Sequence, residues 1–208
     1  MIPVDVSWEV GVASEYVVRG VSQSSGHPHL FGGVELERSG VYAGAWASTV
    51  DFSSQGDRET SFELDVYGGG RHVVLGTDLD VGAVYYLYGD ETDETASEFE
   101  VYALASRSWG SSVVAASAYY AWDMTGEGEG VWYVEVNATH ALTERASLTA
   151  ALGRQLAPEG VGYDTWSVGA AYSFSPALQI DVRYSDTDRH IRGPAFQRHL
   201  VVELTARF

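Results

Sequence analysis

The 208-residue sequence contains no cysteine, so neither a disulfide nor a thiolate metal site or nucleophile is available to it. Proline is scarce, at five residues, and no apolar stretch reaches the roughly 18–20 residues that a spanning helix needs. Basic residues are few as well: 12 Lys and Arg stand against 29 Asp and Glu, for a formal net charge of -17. That imbalance repels a phosphate backbone, which excludes nucleic acid as a partner, and it disfavours docking of a soluble domain onto anionic lipid. No segment with a basic end and an apolar core precedes Ile2, so the chain is expected to be the mature form of an exported protein, with Met1 supplied for expression.

What the sequence does contain is glycine, at 23 residues, tyrosine, at 13, and tryptophan, at 6. This usage suits many strands joined by tight turns, with aromatic rings at a membrane interface. The period is two almost throughout. Val6, Trp8, Val10 and Val12 alternate with Ser7, Glu9, Gly11 and Ala13, and Phe62, Leu64 and Val66 alternate with Glu63, Asp65 and Tyr67. Later copies set Phe99, Val101 and Ala103 against Glu98, Glu100 and Tyr102, and Trp132, Val134 and Val136 against Tyr133, Glu135 and Asn137. Apolar and acidic sets separate in this way only at the strand period.

The alternation predicts strands at 5–16, 29–38, 41–51, 60–69, 73–88, 97–107, 112–123, 131–142, 145–155, 163–174, 177–187 and 197–208. Short turns at Ser39–Gly40, Gly70–His72, Ser108–Ser111, Thr143–Glu144 and Ser175–Pro176 alternate with longer polar links at 17–28, 52–59, 89–96, 124–130, 156–162 and 188–196. Short periplasmic turns, longer extracellular loops and an even strand number are the signature of an outer-membrane barrel. The expected fold is therefore all-β, a closed antiparallel transmembrane β-barrel of twelve strands, occupying 1–208 as one domain in the bacterial outer membrane.

Large aromatics mark the expected membrane boundaries. Tyr16, Tyr86, Tyr88, Tyr120, Trp122, Trp132, Tyr163, Trp166 and Tyr184 fall near loop ends, and Trp8, Tyr42, Trp109, Tyr172, Phe174 and Phe208 near turn ends, so two belts are expected. Leu200, Val202, Leu204, Ala206 and Phe208 share one face of the last strand. A closing strand that ends on an outward Phe resembles the signal read by the outer-membrane barrel assembly machinery, which is expected as a partner beside outer-membrane lipids and lipopolysaccharide.

With apolar residues facing lipid, the opposite parity becomes the lumen. Its candidate lining is Glu9, Glu35, Glu63, Asp65, Asp78, Asp80, Glu98, Glu100, Glu135, Asp181, Arg183 and Glu203, with Arg145, Arg154 and Arg207 as nearby basic groups. An acidic lining concentrates cations and opposes anions, so a narrow passage for cations or small solutes is expected. The other reading of these side chains is a hydrogen-bonded filling of the lumen that uses the few arginines heavily.

Acidic loop residues, Asp57, Glu59, Asp90, Glu91, Asp93, Glu94, Asp123, Glu127, Glu129, Glu159 and Asp164, invite calcium bridging, but no segment supplies a complete calcium loop and such residues also keep a surface soluble. His27 and His29 flank Pro28 in a loop, where they could contribute to transition-metal binding, but two ligands are not a site and a solvated turn is the expected reading. His140 is expected on the lipid-facing parity with no serine beside it, and His72 with Asp78, or His190 with Asp186 and Asp188, supply at most an acid–base inventory. No nucleophile elbow, phosphate cradle or metalloprotease spacing is present, so neither catalysis nor a cofactor is expected.

Three segments are more specific than a generic barrel: Ala13–Gln23 (ASEYVVRGVSQ), Gly40–Phe52 (GVYAGAWASTVDF) and Glu63–Gly69 (ELDVYGG). They resemble the TorF-like porin family of proteobacterial outer-membrane proteins, most strongly over residues 8–88. The resemblance implies an outer-membrane barrel and a solute channel, and carries no catalytic set. Tyr16, Arg19, Gly20, Ser22 and Gln23 match the family's first-loop pattern; Trp46, Ser48, Asp51 and Phe52 match its third strand. Arg19, Ser22 and Gln23 are thus candidates for a first-loop constriction if the loop folds inward, Gly20 permitting a tight turn while Arg19 reaches a carboxylate in an acidic mouth; the other reading, slightly favoured, is that they anchor the loop structurally.

Overall fold

Alternating segments of this length, each too polar on one face to be buried on both, must pair edge to edge and close if they are to sit in lipid. The structure, a computed structural model, describes residues 3–57, 60–89, 96–122, 130–157 and 162–208, and in it they do. The strands are β1 (Asp5–Ala13), β2 (Val17–Val18), β3 (Val21–Ser22), β4 (His29–Arg38), β5 (Val41–Thr49), β6 (Phe62–Val74), β7 (Thr77–Gly89), β8 (Ala96–Trp109), β9 (Ser112–Ala121), β10 (Val131–Ala141), β11 (Ala146–Leu156), β12 (Tyr163–Ser175), β13 (Leu178–Thr187) and β14 (His199–Arg207). All but β2 and β3 form one closed antiparallel barrel of twelve strands, each paired with its neighbours in sequence. Closure is made by β1 against β14, with Glu9 opposite Arg207 and Ala13 opposite Glu203, so among the described residues every barrel strand is paired on both sides.

The outer wall is apolar. Trp8 is 61% exposed, Leu152 71% and Phe208 70%, and Val10, Val66, Val81, Val136, Val168 and Leu200 stand out beside them. Leaving one such side chain in water forfeits about 1.5–3 kcal/mol, so a band of them around the whole wall requires hydrocarbon as its solvent. The protein is an outer-membrane β-barrel of the kind found in Gram-negative bacteria.

Three expectations are corrected here. First, β1 ends at Ala13 rather than continuing to residue 16, because the following residues turn away from the wall. Second, Gly70–His72 is not a turn: β6 runs on to Val74, and the reversal is made by Leu75 and Gly76, both with positive φ. The glycine run at 68–70 reads as a breaker, but Gly69 is there because the Tyr42 ring lies over it, and a Cβ would come 2.5 Å from the Tyr42 hydroxyl. The extension makes Arg71 a wall residue. Third, not all the aromatics belong to the belts. Trp122, Trp132 and Trp166 at one end and Trp8, Trp109, Tyr172, Phe174 and Phe208 at the other are exposed outward, whereas Tyr42 and Tyr163 are buried and Tyr16, Tyr86 and Tyr88 line the interior.

Candidate functional site: the lumen and the first-loop hairpin

Strand register places most of the predicted lining inside. Glu9 lies opposite Arg207, Asp181 opposite Glu203, Asp80 opposite Arg71, Asp65 opposite Tyr86, and Tyr86 in turn opposite Glu98. At the turn end Arg71 is the hub: its guanidinium reaches Glu35 at 2.6 Å, Glu37 at 2.7 Å and Asp80 at 3.3 Å, and lies 3.9 Å over the Tyr42 ring. Tyr42 donates to Asp80 at 2.5 Å and shares a 2.6 Å contact with the Tyr102 hydroxyl. Arg207 bonds Glu9 and Gln179, Arg183 stands 3.4 Å from Asp181, Tyr133 donates to Glu135, and Thr205 to Glu203. Asp78 has the inward parity but sits exposed at the turn rim.

Two of the expected basic groups are elsewhere. Arg145 is exposed in the turn before β11, and Arg154 is on the lipid-facing side of β11, paired there with Asp164 of β12. Arg71 was missed for the reason given above: a residue taken for turn has no parity.

The first loop folds into the barrel. After Ala13, the Ser14 N–H donates to the Val202 carbonyl and its Oγ accepts from the Val202 N–H, both at 2.9 Å, which ties the chain to β14 as it leaves the wall. Glu15 meets the buried His199 ring at 3.0 Å. Burial pushes the Glu15 carboxyl up, but bonds from His199 and Ser22 and the neighbouring His199 charge outweigh it and hold it below its ordinary value. The chain then makes the β2–β3 hairpin, whose two turn residues, Arg19 and Gly20, have φ of +51° and +78°. Positive φ at both centres is the two-residue reversal that suits strand twist. An arginine is an unfavourable choice for such a position, so its side chain must be what retains it.

That side chain crosses the lumen. Arg19 makes a bidentate pair with Glu100 of β8 at 2.8 and 2.7 Å, and its guanidinium lies 4.6 Å over Tyr119 and 4.8 Å over Tyr133. Tyr86 donates to the same carboxylate at 3.0 Å. Burial opposes the Arg19 charge, yet Glu100 more than offsets it and raises the guanidinium above its already high value, so it stays ionised. On the other flank Gly20 touches the wall so closely that a Cβ would fall 2.3 Å from Thr165 Oγ1. Val21 packs with Tyr163, Ala195 and Phe196, which joins the hairpin to the loop before β14.

Ser22 does not line a passage as expected. Ser22 is 1% exposed; its carbonyl accepts from Gln55 and its Oγ from the Gly26 N–H. Gln23 serves the hairpin through its backbone, donating to Tyr16 and accepting from Asp51, while its side chain lines the outer cavity and bonds Val21. Asp51 is held at about 2 by bonds from Ser53 and His27, which fastens the second loop against the first. The hairpin leaves a cavity of about 550 Å³ toward the turn end, lined by Glu9, Glu135, Asp181 and Glu203, and one of about 510 Å³ toward the loop end, lined by Glu63, Asp65, Glu98 and Glu100. Tyr16 and Arg19 are walls of both.

A family profile described as a bacterial protein of unknown function, Gcw_chp, matches residues 1–204. The chain belongs to that family. Among curated protein sequences none matches it. Solved structures share its fold at low identity. The NanC porin is 10% identical with a TM-score of 0.64, the match covering 97% of this chain and 98% of the porin. An outer-membrane channel of Pseudomonas putida F1 is 14% identical with a TM-score of 0.60, covering 100% and 97%. The outer-membrane phospholipase A of Escherichia coli is 12% identical with a TM-score of 0.54, covering 98% and 91%. The shared barrel thus serves passage in some proteins and catalysis in another, and fold alone does not choose between them.

The histidines bear on that choice. His140 does have a serine beside it, contrary to expectation: Ser112 lies directly opposite in the β9–β10 register, with Oγ 2.9 Å from Nδ1. No carboxylate orients this ring among the described residues, and the pair faces outward at the turn end. His190 does meet Asp186, at 2.5 Å, in the loop after β13. His72 and Asp78 fall on opposite faces of the β6–β7 hairpin, since Asp78 is opposite Val73. His27 bonds Asp51 and His29 bonds Ser48, so the two do not converge, and no cluster of three or more potential metal ligands occurs among the described residues. Of the loop acids, Asp57 accepts from Thr60 and Asp164 pairs with Arg154, while Glu59, Asp90, Glu91, Asp93, Glu94, Asp123, Glu127, Glu129 and Glu159 lie outside the described residues.

Proposed function

We propose that the protein is a narrow outer-membrane channel for cations or small solutes, with an acidic lumen and its constriction at the first-loop hairpin. The observation that carries this reading is the Arg19 bridge: one side chain from the loop spans to Glu100, with a cavity on either side of it. A lumen meant to be sealed would be filled by wall side chains along its length. Carboxylates outnumber guanidinium groups in both cavities, so the field favours cations. The similarity of the first loop to the TorF-like porins agrees with passage rather than catalysis as the activity. Phe208, outward on the closing strand, is the proposed mark for the assembly machinery, and the aromatic belts are the proposed contact with lipid and lipopolysaccharide.

Planar-bilayer recording of the purified protein under a salt gradient tests this. Discrete conductance with a cation-selective reversal potential is expected, and replacing Glu63, Asp65 and Glu100 by Gln, Asn and Gln should weaken the preference. A barrel silent at every voltage overturns the channel; anion preference overturns the acidic filter.

A further inference from the structure

Toward the turn end the cavity of about 550 Å³ has two unlike sides. Phe31 of β4 and Trp46 of β5 take the inward parity there, where a polar lumen calls for polar groups, and both are only half-buried. Each lies over a neighbouring glycine: a Cβ on Gly11 would come 2.2 Å from the Phe31 ring, and one on Gly33 3.0 Å from Trp46 Cδ1. The two rings are thus received against the wall, 5.8 Å apart, and the space in front of them stays open. Side chains that filled the lumen would occupy that space. Tyr16 of the first loop continues the aromatic surface, 5.5 Å from Trp46, and lines the cavities on both sides of the hairpin. Strand order sets β10 and β11 half a turn of the barrel away from β4 and β5, so they form the facing wall. That wall presents Asn137, Thr139 and Thr149 to the same cavity. The Thr139 and Thr149 hydroxyls bond each other at 3.1 Å, which among the described residues leaves one O–H and the remaining lone pairs for a ligand.

We infer that this cavity binds a neutral saccharide, with a pyranose ring stacked on Trp46 and Phe31 and its hydroxyls turned to Asn137, Thr139 and Thr149. A pyranose has the same two-sided character as the cavity: its ring face is a patch of C–H groups and its rim is hydroxyl. The C–H groups meet the negative face of an aromatic ring favourably, while amide and hydroxyl side chains both donate to sugar hydroxyls and accept from them. An aromatic surface with a few convergent polar groups, in a space of this volume, is the ordinary build of a small-molecule site. Charge decides which saccharide. Carboxylates outnumber guanidinium groups around the cavity, which opposes acidic sugars. The carboxylates are also partnered, Glu9 by Arg207, Asp181 by Arg183, Glu135 by Tyr133 and Glu203 by Thr205, so they do not call for a cationic solute. A purely apolar solute would leave the facing wall's polar groups unpaired. The inference rests on the channel reading for its role, as the place where a sugar pauses beside the hairpin.

Of the six tryptophans, Trp8, Trp109, Trp122, Trp132 and Trp166 are exposed outward, so a change of emission caused by a water-soluble sugar reports on Trp46. Fluorescence titration of the folded barrel in detergent micelles therefore tests the site, with cellobiose, maltose, sorbitol and sodium glucuronate as probes. A saturable change is expected with a neutral disaccharide. Sorbitol, which has hydroxyls but no ring face, should leave the emission unaltered, and glucuronate should bind at least tenfold more weakly. Calorimetry reads the variants: Trp46→Leu and Phe31→Leu should each weaken disaccharide binding about tenfold, Trp46→Tyr should restore most of it, and Asn137→Ala should weaken it several-fold. Gel migration with and without heating reports whether each variant folds; should Trp46→Leu fail, Phe31→Leu and Asn137→Ala carry the comparison. Absence of saturable binding of either disaccharide, equal binding of sorbitol or glucuronate, or unchanged affinity in the folded variants overturns the site. Conduction is read separately: a barrel that binds the disaccharide but passes no current sinks the channel and leaves the site, and a cation-conducting barrel that ignores both disaccharides does the reverse.

Discussion

At the turn end of the lumen Arg71 projects from its own wall strand and gathers Glu35, Glu37 and Asp80, whereas at the loop end Arg19 arrives on a hairpin and, among the described residues, pairs with one carboxylate, Glu100. The first arrangement is built into the barrel, with one half-exposed cation shared among three anions and Tyr42. The second is delivered from outside the wall, nearly buried, and leaves Glu63, Asp65 and Glu98 without a cation among the described residues. A charge network that belongs to the wall holds the wall; one that a loop brings in can regulate what the wall encloses. The comparison predicts that the same substitution, arginine to alanine, has different consequences at the two ends.

Arg19→Ala is expected to have the largest effect. It strands Glu100, which is 2% exposed, and removing one partner of a buried pair costs about 3–5 kcal/mol, reduced here toward about 3 because water can follow into the lumen. Urea unfolding in lipid vesicles should register that loss, single-channel conductance should rise several-fold, and adding Glu100→Gln should recover much of the stability without closing the pore. Conductance unchanged from wild type would mean that the hairpin is not the constriction.

Gly20→Ala comes next. The left-handed backbone at φ +78° and the approach to Thr165 both resist a Cβ, so about 2 kcal/mol is expected, together with a shifted hairpin and noisier current. Arg71→Ala should cost only about 1 kcal/mol, because its side chain is 40% exposed and screened, and it should raise cation preference without altering conductance as Arg19→Ala does. If Arg71→Ala opened the pore more than Arg19→Ala, the assignment of roles to the two ends would be reversed.

The smallest effect is the acid titration of the loop clasp. Asp51 is held at about 2 against an ordinary 3.8, so its folded carboxyl is the stronger acid and its contribution is complete above about pH 4. That contribution is lost as pH falls through about 2. Carbon-13 NMR of the Asp51 carboxyl should show the low midpoint in wild type and a return toward 3.8 in Ser53→Ala. An unshifted midpoint in wild type would remove Asp51 from the clasp between the first two loops.

Much of this architecture was legible in the sequence because lipid imposes a strict rule: each strand must present an apolar residue at every second position. Val6 to Val12 and Leu200 to Phe208 obey it without interruption, and both ends of the chain were placed to within a few residues. The rule failed where a local signal competed with it. The glycines at 68–70 looked like a turn and hid Arg71, and tyrosines counted as belt residues from their position near strand ends, such as Tyr42 and Tyr86, are inside because parity outranks proximity. Within the site, Arg19 was readable as a residue that reaches a carboxylate, but not that the carboxylate is Glu100, 81 positions away.

The barrel with which the sequence could be credited follows from a two-residue period and from the alternation of short and long connections, both of which are local and survive without any knowledge of contacts. The direction of the first loop does not. Residues 14–28 are polar enough to project into water or to fold inward, and the choice rests on distant partners: Val202 and His199 at the root of the hairpin, Thr165 and Thr187 beside Gly20, and Glu100 at its tip. Only a closed barrel brings those strands around a common space, and with them the inward carboxyl groups of Glu63 and Asp65.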